Sequence, residues 1–230
     1  MKEIHILHLM PKLLSLYGEY GNVAILNKVL TDKGYSVIVD QWENGALDLT
    51  KYDFVYVGSG TEDNLCEATR RLSSHADAVR HSIDQGICWL ATGNAMAVFG
   101  KSALGVLSYE TETVTESRYM GDVLTQDLFG GPLVGYINTG CRYSGIVTPL
   151  FRLRFGLYLG NEKNGTDGEG ILHNRFYGTQ LIGPVLVKNP HFLAALASQI
   201  TGEMVSVDSE SYLCKAYDIA LRELQKRASN

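Results

Sequence analysis

A doubly wound α/β fold, with a mostly parallel sheet, helices on both faces and some antiparallel edge strands, is predicted by three features of the sequence. Short apolar runs alternate with segments of helical periodicity over residues 3–100, the pattern of βαβ units whose strands are buried on both faces. Two of these runs close on small-residue turns, Gly58-Ser59-Gly60 and Thr92-Gly93-Asn94. In such sheets ligands sit beyond these carboxyl ends. From about Tyr109 the chain changes to alternating, Thr- and Tyr-rich stretches, which read as antiparallel or edge strands. With 230 residues, no internal repeat and no low-complexity linker, a single domain over 1–230 is expected.

The elements follow in order. "EIHILHLM" (Glu3–Met10) is apolar enough to open the sheet as a buried strand. In "GEYGNVAILNKVLTDKGY", Val23, Ile25, Leu26, Val29 and Leu30 fall close to helical spacing, and Gly34 supplies a stop. "YSVIVDQW" is a β-branched strand, and "YDFVYVGSG" (Tyr52–Gly60) is a second continuous apolar strand ending in glycines. A helix rich in Ala, Arg and Leu is expected from about Asp63 to Gln85. "ICWLATGNAMAVFG" (Ile87–Gly100) then reads as a buried strand turning sharply into a helix. Beyond it, "YETETVTESRYMGDVLTQDL" and "GPLVGYINTGCRYSG" are the antiparallel stretches, with "YETETVTES" an exposed edge. "GNEKNGTDGEGILHNRFYGTQLIG" is a glycine-rich polar loop leading into another strand, and a helix pair covers about Pro190–Gln199 and Asp208–Lys226.

Bulk properties exclude several classes. Apolar residues make up 45% and charged residues 20%, as in a soluble globular protein. The net charge is −5 with no basic cluster, so no nucleic-acid partner is expected. No apolar run reaches membrane-spanning length, and the N-terminal stretch is broken by His5, His8 and Pro11, unlike a signal peptide. The four cysteines, Cys66, Cys88, Cys141 and Cys214, lack metal-ligand spacing and a disulfide pattern. They read as reduced thiols of a cytoplasmic protein, and neither a metal nor a cofactor is expected.

The turn after "ICWLAT" lies where α/β hydrolytic folds place a nucleophile, yet its tip is Gly93. Cys88 sits inside the apolar run, as a small buried hydrophobe does. The hydroxyl of Thr92 needs an adjacent base before it can attack anything. The six histidines do not cluster: His75 and His81 fall on a surface helix, and His173 and His191 border loops. Gly58-Ser59-Gly60 could hold an anion on backbone N–H groups, but it is neither GxxxxGK[ST] nor GxGxxG, and a tight structural turn is the simpler reading.

Several stretches together resemble one family. "LMPKLLSLYGEYGNVAIL" (Leu9–Leu26) is similar to the opening of the glutamine amidotransferase subunits of lipid II isoglutaminyl synthases, in the cobyric acid synthase-like branch of the class I (triad) glutamine amidotransferases. "FVYVGSGTEDN" resembles the family's strand and Gly-Gly-Gly-Gln-Asp-type turn. "GICWLATGNAMAVFG" resembles its elbow, which usually ends Cys-Gly-Gly-Tyr-Gln-Leu-Leu-Gly. "LVGYINTGCRY" is similar to a Gly-Phe-Glu-Asn-His-Gly-type segment, and "GTQLIGPVLVKNP" to Gly-Thr-Tyr-Leu-His-Gly-Pro-Leu-Leu-Pro-Lys-Asn-Pro. The match stays in register over nearly the whole chain. It implies a flavodoxin-like sheet and a glutaminase reaction. A cysteine thiolate attacks the glutamine amide, a histidine moves the proton, and ammonia passes to a partner enzyme.

Carried over residue by residue, both catalytic positions are empty. Counting back from Gly100 puts Gly93 at the cysteine, or Thr92 with a shift of one; counting back from Gly183-Pro184 puts Ile182 at the histidine. Ser59 and Thr61-Glu62 replace the family's glycine and glutamine, and in "YINTG" only Asn138 of Glu-Asn-His is kept. Losing a nucleophile together with its base lowers such catalysis by roughly a million-fold. The resemblance therefore implies a pseudo-amidotransferase: a non-catalytic partner of a Mur-ligase-like or other amide-forming synthetase subunit, set in cell-wall precursor amidation. Two competing readings are an enzyme with relocated chemistry and a binding module in the old glutamine pocket. The first would use Cys88, Cys141 or Thr92, with His173 or His191 as base. The second would hold glutamine or a related amino acid on Gly58, Ser59, Gly60, Thr92, Gly93 and Asn94, with Arg142 or Arg118 pairing a carboxylate.

Overall fold

Side-chain alternation along the central strands places one core on each face of the main sheet. In the computed structural model, which describes residues 2–114, 118–156 and 168–229, β1 (Glu3–Leu9) sends Ile4 and Ile6 to one face of the sheet and Leu7 and Leu9 to the other. The same split recurs in β3 (Phe54–Val57), with Phe54 and Tyr56 opposed to Val55 and Val57. In β4 (Cys88–Thr92), Cys88 and Leu90 are opposed to Trp89 and Ala91. The period of two is a property of the extended chain, and apolar residues at both parities require cover on both faces.

That cover is helical. Between β1 and β2 (Ser36–Trp42), α1 (Tyr20–Asp32) packs Val23, Leu26 and Leu30 on the Ile4/Ile6 side, and Gly34, at φ +90°, ends it as expected. The opposite face takes Leu65, Ala68 and Leu72 of α2 (Glu62–Leu72) with Val79 and Ile83 of α3 (Ala76–Asp84). The sequence reads 63–85 as one helix, but a 3₁₀ turn at Ser73–His75 breaks it. Ser73 Oγ donates back to the Arg70 carbonyl at 2.8 Å. The His75 ring meets the edge of Trp42, with ring centres 5.6 Å apart. The chain therefore turns at that point and starts a second helix.

β5 (Glu110–Thr113), β6 (Tyr119–Leu128), β7 (Gly131–Thr139), β8 (Cys141–Ser144), β9 (Phe151–Gly156) and β10 (Gly168–Glu169) form the antiparallel part. They build a four-stranded sheet, β10-β9-β6-β7, and a separate pair, β5-β8. The chain then rejoins the main sheet through β11 (Ile171–His173) and β12 (Phe176–Thr179), giving the order β11-β12-β4-β3-β1-β2 with only β11 antiparallel. α4 (Val185–Lys188), α5 (Pro190–Thr201) and α6 (Tyr212–Ala228) complete the chain. Phe192, Leu193 and Leu196 of α5 join the α1 side. Leu224 of α6 packs on Leu124 and Val134 of the β6–β7 hairpin. A bridge between Ile137 and Leu181 ties the two larger sheets together. The polar loop expected at 160–167 and part of the edge stretch, 115–117, lie outside the described residues.

Candidate functional site at the strand elbow

β12 runs parallel to β4 with Thr179 beside Thr92, so the chain leaving each strand arrives at the same carboxyl end of the sheet. Residue 93 follows β4 at φ +60°, in the left-handed region that glycine tolerates, and opens a 3₁₀ turn, Gly93–Val98, where an α-helix was expected. Its N–H donates to the Leu181 carbonyl at 3.1 Å. A Cβ built on Gly93 would lie 3.0 Å from Cγ2 of Ile182 and 1.9 Å from Oγ of Ser59. Residues 93 and 182, far apart in the chain, are thus neighbours, and Ser59 stands in the volume a side chain at 93 would need.

Ser59 is held there by Glu19, which sequence reasoning passed over. Its backbone N–H donates to Glu19 Oε2, and its hydroxyl donates to Oε1 at 3.0 Å. Glu19 is fully buried at the start of α1, and burial raises its pKa to about 7. Hydrogen bonds from Ser59, Thr92 and the Gly183 backbone oppose that rise. Behind it runs a relay of buried groups. Asn22 Nδ2 donates to the Tyr56 hydroxyl at 2.9 Å, and that hydroxyl lies 2.8 Å from Thr92 Oγ1. Either hydroxyl can donate in that pair, and the Thr92 side chain also hydrogen-bonds Glu19. Asn22 Oδ1 accepts from Leu186 N at 2.9 Å, which fixes α1 to α4. An acidic residue at a helix start was the one legible signal for Glu19. In the turn before it, Tyr17 takes φ +59°.

Three backbone donors of the two turns, Ser59 N, Gly60 N and Gly93 N, are engaged within the chain. Gly60 N donates to Asn94 Oδ1 at 3.1 Å, while Asn94 Nδ2 donates to the Gly60 carbonyl at 2.8 Å. Gly58 carries no side chain because a Cβ would meet the Leu14 carbonyl at 2.7 Å and Glu19 Oε2 at 2.8 Å. The structure therefore brings Gly58, Ser59, Gly60, Thr92, Gly93, Asn94 and Ile182 together. Arg142 is placed on β8, with its guanidinium over the Tyr119 ring, 5.1 Å from the centroid, and donating to the Tyr119 hydroxyl. At the rim, Arg118 pairs with Glu62 at 3.0 Å and with Asn138 Oδ1 at 3.0 Å, and Asn138 Nδ2 donates to Tyr17 Oη at 3.2 Å.

The thiols Cys88 and Cys141 and the imidazoles of His173 and His191 stand elsewhere, while the buried His8 ring lies against Tyr56 with centroids 5.2 Å apart. Cys88 is buried and its thiol is pushed up to about 12 by desolvation, although the Arg175 guanidinium acts against this. Cys141 is buried on β8 and also raised by burial. His173 is exposed on β11, and the His191 ring faces Tyr217 of α6 at 5.0 Å. Among the described residues no group of three His, Cys, Asp or Glu side chains could hold a metal, and no helix is long and apolar enough to cross a membrane.

No family model matches the chain. It is 28% identical over 200 residues to the lipid II isoglutaminyl synthase (glutamine-hydrolyzing) subunit GatD of Staphylococcus aureus, covering 82% of this chain and 81% of that one. It is 24% identical over 210 residues to the corresponding subunit of Streptococcus pneumoniae, covering 85% and 80%. Among solved structures, a glutamine amidotransferase from Thermotoga maritima superposes over 98% of this chain and 94% of its own, with a TM-score of 0.54 at 12% identity.

Proposed function

The chain is a homologue of the GatD subunits of lipid II isoglutaminyl synthase and carries the glutamine amidotransferase fold, and from this we propose that it is an amidotransferase-like subunit without glutaminase activity of its own. One observation carries the reading. The positions that the resemblance assigns to thiol attack and proton transfer meet at the elbow as Gly93 and Ile182, and Ser59 occupies the space that a side chain at 93 would need. Glycine supplies no nucleophile and isoleucine accepts no proton. The relatives are subunits of a synthase, so the fitting role is that of a non-catalytic partner to a Mur-ligase-like amide-forming subunit, in the cytoplasm, acting on cell-wall precursors.

The alternatives draw less support. A relocated nucleophile needs an ionisable thiol or a reachable hydroxyl beside a base, whereas burial raises both Cys88 and Cys141, and Thr92, although hydrogen-bonded to Glu19, is fully buried. A glutamine pocket needs free donors, whereas Ser59 N, Gly60 N and Gly93 N are bonded to Glu19, Asn94 and Leu181. The test is glutamine-dependent ammonia release by the purified chain, alone and with a co-purified ligase-like partner. No release above buffer is expected in either case. Turnover of glutamine by the isolated chain would overturn the reading.

A further inference from the structure

Beside the elbow a cleft of about 430 Å³ opens between α6 and the β6–β7 hairpin, with Lys188 at its edge and the Lys188 amine 3.2 Å from where a Cβ on Gly183 would stand. The two sites share a wall: Ile182 N donates to the Tyr136 carbonyl at 2.9 Å, and Tyr136 lines the cleft. We infer that this cleft is a binding site for a small organic monocarboxylate with a compact apolar or aromatic body, anchored by Lys188. The inference does not depend on how the elbow is read.

Size and lining set the body of the ligand. The volume lies in the range of small-molecule pockets. Val134, Val187, Ala220 and Leu224 supply apolar walls, and the ring of Tyr136, 37% exposed, stands at the side. Small residues on one face of α6, Ala216 and Ala220, leave the room into which a ring or branched chain fits.

Charge sets the head group. Four charged residues border the cleft: Asp122, Lys188, Glu223 and Arg227. Asp122 is bound by Arg227, and Glu223 is bound by Lys226 at 2.7 Å. Both carboxylates are therefore satisfied. The Lys188 ammonium makes no hydrogen bond or ion pair among the described residues. Lys188 keeps more than a third of its surface in water, yet protein crowds its amine. Desolvation lowers its pKa, and the fields of Asp122 and Glu19 act the other way. An unpaired cation at the wall of an apolar cleft favours an anion whose hydrophobic part leaves water at the same time. A second anionic group would approach Asp122 and Glu223, which restricts the ligand to one charge.

The experiment uses the full chain and two probes of equal shape, 3-phenylpropionate and its uncharged analogue 3-phenylpropionamide. Titrations are followed by the amide NMR shifts of Ala216, Ala220 and Leu224. The acid is expected to saturate these shifts and to bind at least roughly tenfold more tightly than the amide, as a charge-assisted hydrogen bond allows. Lys188→Met should remove that preference while leaving amide binding in place, Lys188→Arg should keep most of it, and Ala220→Trp should abolish binding of both probes. Circular dichroism melts show that each variant is folded. The proposal is overturned if the wild-type chain shows no saturable shift, if acid and amide bind alike, or if Lys188→Met binds the acid as well as the wild type does.

Discussion

At the scale of single residues, the elbow is defined by volume as much as by chemistry. Gly93 combines φ +60° with a Cβ direction aimed at Ser59 Oγ, 1.9 Å away. Gly93→Cys should therefore destabilise the fold by about 2–4 kcal/mol, from overpacking plus the left-handed backbone. Adding Ser59→Gly should recover the overpacking part, about 1–3 kcal/mol, and leave the backbone part. Urea denaturation of the wild type, both single variants and the double variant measures this coupling; additive effects would show that the two positions do not compete for one space. Glu19 and Glu169 carry a second prediction. Both are fully buried, and burial raises each from 4.5 to about 7. Glu169 is held by Gln180 N and by Thr179 Oγ1 at 2.8 Å. Between these pH values the folded chain retains protons that the unfolded chain has lost. The contribution of each carboxyl is thus complete below pH 4.5 and declines as pH rises through about 7. The slope approaches about 1.4 kcal/mol per pH unit for each group. Glu19→Gln should flatten the fall in urea midpoint between pH 5 and 8, and an unchanged profile would show that Glu19 does not titrate in this window.

At the scale of elements, the β6–β7 hairpin shows one preference overruling another. Its two-residue turn, Phe129-Gly130, has φ +55° and +97°, both positive as a tight hairpin turn with the right twist requires. Asparagine or glycine suits the first position, and a phenylalanine there bears about 1 kcal/mol of strain. Its ring, however, stacks on Phe192 of α5 with centroids 5.1 Å apart and planes 9° apart. Such a pair adds about 0.5–1.5 kcal/mol beyond the apolar area it buries. Packing exceeds strain, so Phe129→Asn should destabilise by roughly 1 kcal/mol despite improving the local turn. A raised melting temperature would reverse that ranking. The same competition explains which elements were legible. β1, β3 and β4 are read correctly because strands covered on both faces must be continuously apolar. The break at Ser73–His75 was not legible, because amphipathic spacing continues on either side of it. The contact that turns the chain, His75 on Trp42, depends on tertiary placement.

At the scale of the whole molecule, the parallel sheet with an antiparallel appendage could be anticipated from the pattern change near Tyr109. The site was legible in part. Glycine-rich turns at strand ends located Ser59 and Gly93, whereas the partnership of Gly93 with Ile182 came only through family resemblance, since no local pattern links them. Glu19 stayed hidden because nothing in "YGEYGN" announces full burial. These placements also bear on how the chain unfolds. The appendage could form an independent unit, but three observations argue for one. Val123, Leu133 and Ile137 of the hairpin belong to the same core as Ile4, Ile6 and Phe192. The Ile137–Leu181 bridge links the sheets directly. Asn189 Oδ1 accepts from Val134 N at 2.8 Å, and its Nδ2 donates to the Val134 and Val185 carbonyls, so one buried side chain ties β7 to α4. Separating the sheets would expose the shared core and leave these groups unsatisfied, at about 1–3 kcal/mol for each orphaned polar atom. Unfolding should therefore be a single cooperative transition, with far-UV circular dichroism and tryptophan fluorescence giving coincident urea curves. Both tryptophans, Trp42 and Trp89, report on the main sheet. Loss of strand signal ahead of the fluorescence change would therefore mean that the antiparallel part melts first and that the chain holds two units. Asn189→Leu should move the midpoint to lower urea while keeping the curves superimposed, because the bonds it removes lie at the joint between the sheets.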